Sequence, residues 1–424
     1  MHLIPEVTLY DKIQIKKEYV SEEYLTSNFV YPLEESFATT LQSDDDYWYL
    51  GIGCLDRLNV DKIIDNRIDK KMNEFIEFRP TLHPAQQRTL DKFLTDTSGI
   101  LKAKCGWGKS FLGVKLVTEA RDTTLILVHT KLLMEQWKDL FIECTGYTPG
   151  IIGDGEFNLR QITIGLYISV NNRLDQIKEY FGRVIVDEVH RCGAELFADT
   201  LNSLPARHKD GMSATPNRRD GKHVLFKDFF GPKYVEAEEY RDLLIPTVDI
   251  KQVPIKFPVL NPTKDWAKAL TKVYSDEKYL DAIISNTKDL LDEGRNCLLL
   301  GIRTEALAYL QTKIPRSLVL DGTVKKKEDR ANILARVGKD INCLLSTTIF
   351  DEGLSCHILD TLILTEPVGK NFSKLEQRIG RIQREHPDKQ PICLQVYWLQ
   401  NKILEGQQKI EYMWYQHNKF YFKK

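Results

Sequence analysis

The sequence predicts an α/β protein in which two tandem parallel sheets, each flanked by helices, follow a small α+β region. Three observations predict it. From about 78 to 245, apolar runs such as Leu125 to Val128 and Val184 to Val186 alternate with helical stretches such as Phe111 to Ala120 and Lys131 to Ile142, as right-handed βαβ units require. From about 246 to 424 the alternation resumes, with strands at Cys297 to Leu300, Ser317 to Leu320, Cys343 to Ser346 and Leu362 to Leu364. Residues 1 to about 77 instead carry short β-branched and aromatic stretches.

In that first region Val7-Thr8-Leu9-Tyr10 and Tyr47-Trp48-Tyr49-Leu50 read as strands, interrupted by Gln42-Ser43-Asp44-Asp45-Asp46, and the polar span Val60 to Phe78 reads as a helix. The basic stretch Lys12 to Lys17, set among aromatics, suits a module that grips nucleic acid. A folded cap covering a sheet edge is the alternative.

The next region opens on the strand Gly99 to Ala103, which runs through Lys104-Cys105-Gly106-Trp107-Gly108-Lys109-Ser110 into a helix. At such a turn the backbone N–H groups around Gly106 and Gly108 and the helix N-terminus face an anion. Lys109 adds a point charge at the β/γ-phosphates of a nucleotide, and the Ser110 hydroxyl can ligate Mg²⁺. Ala103 stands where the strict pattern has glycine, and Trp107 is bulky for a loop that packs on phosphate.

Further on, Arg183-Val184-Ile185-Val186 reads as a buried central strand ending in Asp187-Glu188-Val189-His190. A carboxylate at such a strand end can hold the Mg²⁺ shell, which is the role of Asp187, and its neighbour Glu188 can orient or deprotonate an attacking water.

From these residues onward the sequence resembles the superfamily 2 helicases, within them the DExH group, in motif order from about Phe78 to Val396. Leu82-His83-Pro84-Ala85-Gln86-Gln87 resembles the family's glutamine motif, so the resemblance implies that Gln86 reads adenine, with His83 and Ala85 where arginine and tyrosine are usual. Leu127-Val128-His129-Thr130-Lys131 through Gln136-Trp137, and Ile164 to Ser169, resemble the segments that touch the nucleic-acid backbone, which implies that role for Thr130, Lys131 and Ser169. Ser213-Ala214-Thr215-Pro216 matches the motif that couples hydrolysis to domain movement. Asn217 to His223, followed by Phe230-Gly231-Pro232, looks like the Arg-Glu-Asp element of XPB-type repair helicases, with Arg219 replacing its glutamate. Gly353-Leu354-Ser355 is closer to UvsW-type phage recombination helicases. Two RecA-like domains, 78–245 and 246–424, behind an accessory domain 1–77, are the architecture implied.

The second sheet has its own chemistry. Arg303 follows one strand end and Ser346-Thr347-Thr348 another, at the crevice edge where such sheets bind ligands. By resemblance Thr347 and Thr348 contact the tracked strand, and Glu352 and Gly353 line the interdomain cleft. Gln377, Arg381 and Arg384 recur at spacings of four, three and seven, which puts them on one face of a helix. A guanidinium presented there can stabilise charge on a transferring phosphoryl group.

Composition narrows the classes. With 424 residues, 42% of them apolar, two or three domains can each fill a core. No run approaches a membrane span and Met1-His2-Leu3-Ile4-Pro5 lacks a signal-peptide pattern, so the expected setting is cytoplasmic, without membrane partners. The eight cysteines form no Cys-x-x-Cys pair, and nothing near His190 and Cys192 completes a zinc site. A net charge of −1 excludes a globally basic nucleic-acid binder but leaves room for a local basic groove. Candidates are Lys12 to Lys17, Lys325-Lys326-Lys327 and the tail Lys419 to Lys424.

The function expected is an ATP-driven, Mg²⁺-dependent DNA helicase or translocase. It is expected as a monomer tracking 3′→5′ on one strand of forked or branched repair and recombination intermediates. A duplex translocase that remodels without strand separation, an RNA helicase, and a nucleotide-gated binding module are the competing readings.

Overall fold

The computed structural model describes the chain apart from residues 1, 35, 105, 190–194, 215–220, 240–243, 256–265, 302, 325, 348–355, 369–371, 384–389, 400–401 and 424. It divides into two compact units, Met1–Tyr240 and Arg241–Lys424.

The core of the first unit is an eight-stranded sheet. Its strands run in the order Glu156–Asn158, Gly150–Gly153, Ile162–Leu166, Thr124–Val128, Arg183–Asp187, His208–Ser213, Gly99–Lys102, Lys233–Glu236. All neighbours pair in parallel except the hairpin of the first two. Every residue of Thr124–Val128 and Arg183–Asp187 is buried, because helices cover both faces. The side-chain period of two divides the strands between two cores. Ile126 and Ile185 join Leu112, Trp137 and Phe141 on one face, while Leu125, Val184 and Val186 join Phe197 and Phe229 on the other.

The described residues before Asn66 form a five-stranded mixed sheet, Gln42–Ser43, Tyr47–Leu50, Ile13–Lys16, Leu3–Leu9, Asn59–Asp65, a separate strand pair Val30–Pro32 with Phe37–Thr39, and the helix Glu22–Phe29 capped by Ser21. The core of this region contains Ile4, Val7, Ile13, Ile15, Leu25, Phe29 and Leu50. The helix expected over Val60 to Phe78 does not form. Asn59–Asp65 is an edge strand parallel to Leu3–Leu9, and the chain then bridges Ile68 to Ala206 and Lys71 to Asp122 while Met72 and Ile76 enter the first core. β-Branched Val60, Ile63 and Ile64 suit a pleated edge, and pairing with an existing strand satisfies backbone groups that a lone polar helix could not bury.

The segments between these strands anchor the N-terminal region on the helix Phe226–Phe230. Asp228, fully buried there, accepts hydrogen bonds from Arg57 (2.5 Å), Tyr31 (2.8 Å) and Thr40 (3.1 Å). Gly53 lies so close that a Cβ on it would sit 2.3 Å from the Gly231 nitrogen.

The second unit is a seven-stranded sheet, all parallel, in the order Ser317–Val319, Cys343–Ser346, Cys297–Leu300, Thr361–Leu364, Ile392–Leu399, Thr247–Pro254, Tyr421–Phe422. The four strands legible in the sequence are present. The long pair Thr247–Pro254 with Ile392–Leu399 was not among them. The basic tail contributes a strand, and its aromatic rings pack, Phe422 against Tyr412 at 4.7 Å and Phe420 against Tyr415 at 5.3 Å. Among the described residues no helix is long and apolar enough to cross a membrane.

Candidate nucleotide and nucleic-acid site

In the first sheet the sequence-predicted residues gather at one edge because the strands are parallel. Gly99–Lys102 ends in the loop expected to hold phosphate, His208–Ser213 beside it ends at Ser213-Ala214, Arg183–Asp187 ends in the carboxylates, and Thr124–Val128 and Ile162–Leu166 end before Thr130 and Ser169. The Ala103 N–H donates to the Ser213 carbonyl at 3.0 Å, which pins the loop's entry to its neighbour.

Gly106 (φ +80°) and Gly108 (φ +98°) both lie in the left-handed region, so the two glycines are conformational requirements of the loop. Gly108 precedes the helix Lys109–Ala120, whose first residue Lys109 is buried and whose second, Ser110, is half-buried. Lys109 Nζ donates to Glu188 Oε1 at 3.0 Å. Phosphate loop and acidic strand end thus meet through one ammonium.

Asp187 is only 3% exposed. Its Oδ2 accepts the Trp137 indole N–H at 2.8 Å and its Oδ1 the Glu188 backbone N–H at 2.9 Å. Burial pushes its carboxyl above the usual range and the Glu188 charge adds to this, while Lys109 and the two hydrogen bonds pull against it. Glu188 itself has φ +55°, a left-handed conformation that a non-glycine residue holds only where its surroundings fix it.

Trp137 is a residue whose role the sequence reading missed. Expected in a segment that touches nucleic acid, it is buried and orients Asp187. The signal is the periodic apolar face Met134, Trp137, Phe141 of the helix Lys131–Thr145, and Gly113 opposite, where a Cβ would lie 2.5 Å from the Trp137 ring. Trp107, the bulky residue in the loop, is folded into the core with its indole N–H donating to the Glu238 carbonyl at 2.7 Å. Gln86 accepts the His83 N–H (3.1 Å) in a capping box and donates to the Trp107 carbonyl (3.2 Å), so it braces the loop. Thr130 caps the helix Lys131–Thr145 by accepting the Leu133 N–H at 3.3 Å, exposed Lys131 pairs with Asp154, and Ser169 lies half-buried in the short helix Tyr167–Asn171.

In the second unit Arg303, exposed, and Thr347, half-buried, follow the adjacent strands Cys297–Leu300 and Cys343–Ser346 at one sheet edge. The helix carrying Gln377 is Phe372–Ile379 and stops before Arg381. Arg381 and Ile382 donate i→i−3 bonds to the carbonyls of Arg378 (3.2 Å) and Ile379 (3.0 Å), so Gln377 lies in the helix and Arg381 in the tightened turn that follows Gly380. Gln377 and Arg378 are buried and Arg381 is half-buried. Thr348, Glu352, Gly353, Arg384 and residues 215–220 lie outside the described residues.

Residues 79–218 match the family model "Type III restriction enzyme, res subunit", and residues 274–386 match "Helicase conserved C-terminal domain". The chain belongs to the superfamily 2 helicases. Both matched regions are ATP-dependent helicase domains, the first carrying the phosphate loop and carboxylates, the second Gln377 and Arg381. "Probable helicase D10" of Escherichia phage T5 is 32% identical over 297 residues, 68% of this chain and 65% of that protein, so this chain spans just under two thirds of that relative. "DNA 3'-5' translocase XPB2" of Sulfurisphaera tokodaii is 24% identical over 380 residues, 79% of this chain and 85% of the relative. In fold, the chain is similar to S. cerevisiae Dbp5 bound to RNA and ADP BeF3, with a TM-score of 0.58 at 12% identity, covering 80% of this chain and 89% of that one.

The residues present fit a nucleotide with its metal. Left-handed glycines and a helix N-terminus form an anion cradle, and Ser110 and Asp187 supply hard oxygen donors of the kind Mg²⁺ takes. When bound, Mg²⁺-ATP would supply the phosphoryl group whose transfer to water releases the free energy.

Proposed function

We propose that this chain is an ATP-driven DNA helicase or translocase that moves 3′→5′ and acts on forked or branched repair and recombination intermediates. The observation that carries the ATPase part is the Lys109 to Glu188 contact at 3.0 Å, which joins the phosphate loop to the carboxylate pair. Lys109 holds phosphate oxygens, Ser110 and Asp187 hold the metal, Glu188 orients and deprotonates water, and Arg381 and Arg384 stabilise the transferring group. Thr130, Lys131, Ser169, Arg303, Thr347 and Thr348 face the tracked strand, and the sheet of residues 1–65 grips DNA beside it. DNA as the track and the 3′→5′ direction are supported by the name of the XPB2 relative.

That relative is named a translocase, which favours a second reading: movement on duplex DNA without strand separation. Lys109→Ala should abolish DNA-stimulated ATP turnover while the melting profile is kept. Turnover above about one tenth of wild type would overturn the phosphate-loop assignment. Strand displacement on forked DNA, run beside triplex displacement and forked RNA, separates the three readings. Release of the triplex strand alone selects the duplex translocase, and unwinding of RNA alone rejects DNA as the track.

A further inference from the structure

The indole N–H of Trp107 reaches the Glu238 carbonyl in a strap, residues 236–239, near the end of the first unit, which gives way to the second at residue 241. The strap is held at several points. The Ala237 N–H donates to the Lys102 carbonyl at 2.8 Å, and the Glu238 N–H to Thr89 Oγ1 at 3.2 Å. The Glu238 carboxylate pairs with Arg88 (2.8 Å) and Lys92 (2.6 Å), and Glu239 pairs with Lys104 at the start of the loop. Arg88, Thr89 and Lys92 lie on the helix Pro84–Phe93, whose Gln86 holds the Trp107 carbonyl at 3.2 Å.

Loop, helix and strap therefore form one hydrogen-bonded ring, and Trp107 is the residue where it closes. Its carbonyl belongs to the phosphate loop and its indole N–H to the strap. A smaller side chain would leave the loop's glycine geometry intact but would neither reach the Glu238 carbonyl nor fill the 6%-exposed position among Leu90, Phe93 and Leu112. The half-buried Glu238 carbonyl would lose its indole donor, so loop and strap have reason to move together.

We propose that Trp107 is a positioning residue that transmits the conformation of the phosphate loop to the strap leading into the second unit, so that nucleotide in the cradle alters the strap. The inference rests on the nucleotide site proposed above and adds a path out of it.

Hydrogen exchange tests it without turnover. Full-length protein and Trp107→Phe, which keeps the ring but removes the N–H, are compared with and without Mg²⁺-ADP, following peptides that cover 100–112 and 234–240. The wild type should show slowed exchange in both peptides. The variant should keep the response of the loop peptide and lose at least about three quarters of the response of the strap peptide. Equal strap responses in the two proteins, or a wild-type strap that ignores nucleotide while the loop responds, would overturn the coupling alone. A wild-type loop that does not respond would overturn the nucleotide site and the coupling with it. The wild-type arm can overturn the coupling even if the variant folds poorly.

Discussion

Glu188 combines a left-handed backbone conformation with the position proposed above for the residue that activates water. Its left-handed φ is fixed between the buried Asp187, whose carboxylate takes its N–H, and Lys109, which takes its own carboxylate. Replacing the carboxylate by an amide preserves the shape and the hydrogen bond to Lys109 while removing the base. Glu188→Gln should therefore bind nucleotide with little change and hydrolyse it about two orders of magnitude more slowly, measured by equilibrium titration beside single-turnover kinetics. Loss of binding in proportion to turnover would make Glu188 a structural residue. Arg381 is tested in the same manner. Arg381→Ala should slow hydrolysis at least about tenfold and leave DNA affinity measured without nucleotide unchanged; an equal fall in that affinity would assign it to the track.

At the scale of elements, the helices Lys109–Ala120 and Lys131–Thr145 are fitted to each other by a missing side chain. Gly113 has ordinary helical backbone, and the reason for it is steric: the Trp137 ring occupies the space a Cβ would need, and that ring donates to Asp187. Gly113→Ala must push the indole aside, which should cost about 1–3 kcal/mol by overpacking despite the better helix propensity of alanine. Urea unfolding reads that cost, and turnover should fall as well because Asp187 loses its donor. An unchanged denaturation midpoint would mean that the two helices simply part. Such a dependence crosses 24 residues (137 − 113) of sequence, so neither helix read alone contains it.

Over the first unit as a whole, Lys209 carries a different constraint. It is buried beneath the N-terminal sheet, donating to the carbonyls of Leu201 (2.8 Å) and Asp11 (3.3 Å), and burial pulls its ammonium down to about 7. An unfolded lysine keeps its proton to about pH 10.4, so between these values the unfolded chain binds more protons than the folded one. This group's contribution to stability therefore rises with pH from about 7 towards 10 and is lowest below 7. The urea midpoint of the wild type should gain more between pH 7 and pH 9 than that of Lys209→Met; parallel gains would show that Lys209 keeps its proton in the fold. The same N-terminal region partners Asp228, so a truncation starting near Asn73 strips that carboxylate of Arg57, Tyr31 and Thr40 and should lower solubility. The grip proposed for this sheet is therefore better tested by replacing Lys12, Lys16 and Lys17 in the intact chain.

By itself the sequence determined the architecture and which residues meet at the edge proposed for the nucleotide. Fully apolar strands alternating with helices admit few folds other than parallel sheets, and Gly106, Gly108, Lys109, Asp187 and Glu188 sit at strand ends that parallel pairing must bring to one edge. Tertiary structure alone decided which polar pattern became strand or helix and which aromatic served the site. Val60 to Asp65 is a strand rather than a helix because an existing strand offered its backbone partners, and the helix after Phe372 ends at Ile379 because Gly380 and Arg381 tighten into a turn. Trp107 and Trp137 read as loop and surface residues, yet both are buried with their single donor spent on a partner distant in sequence. Local patterns record how a segment meets water, whereas the partner of a buried hydrogen bond is fixed only when the elements pack.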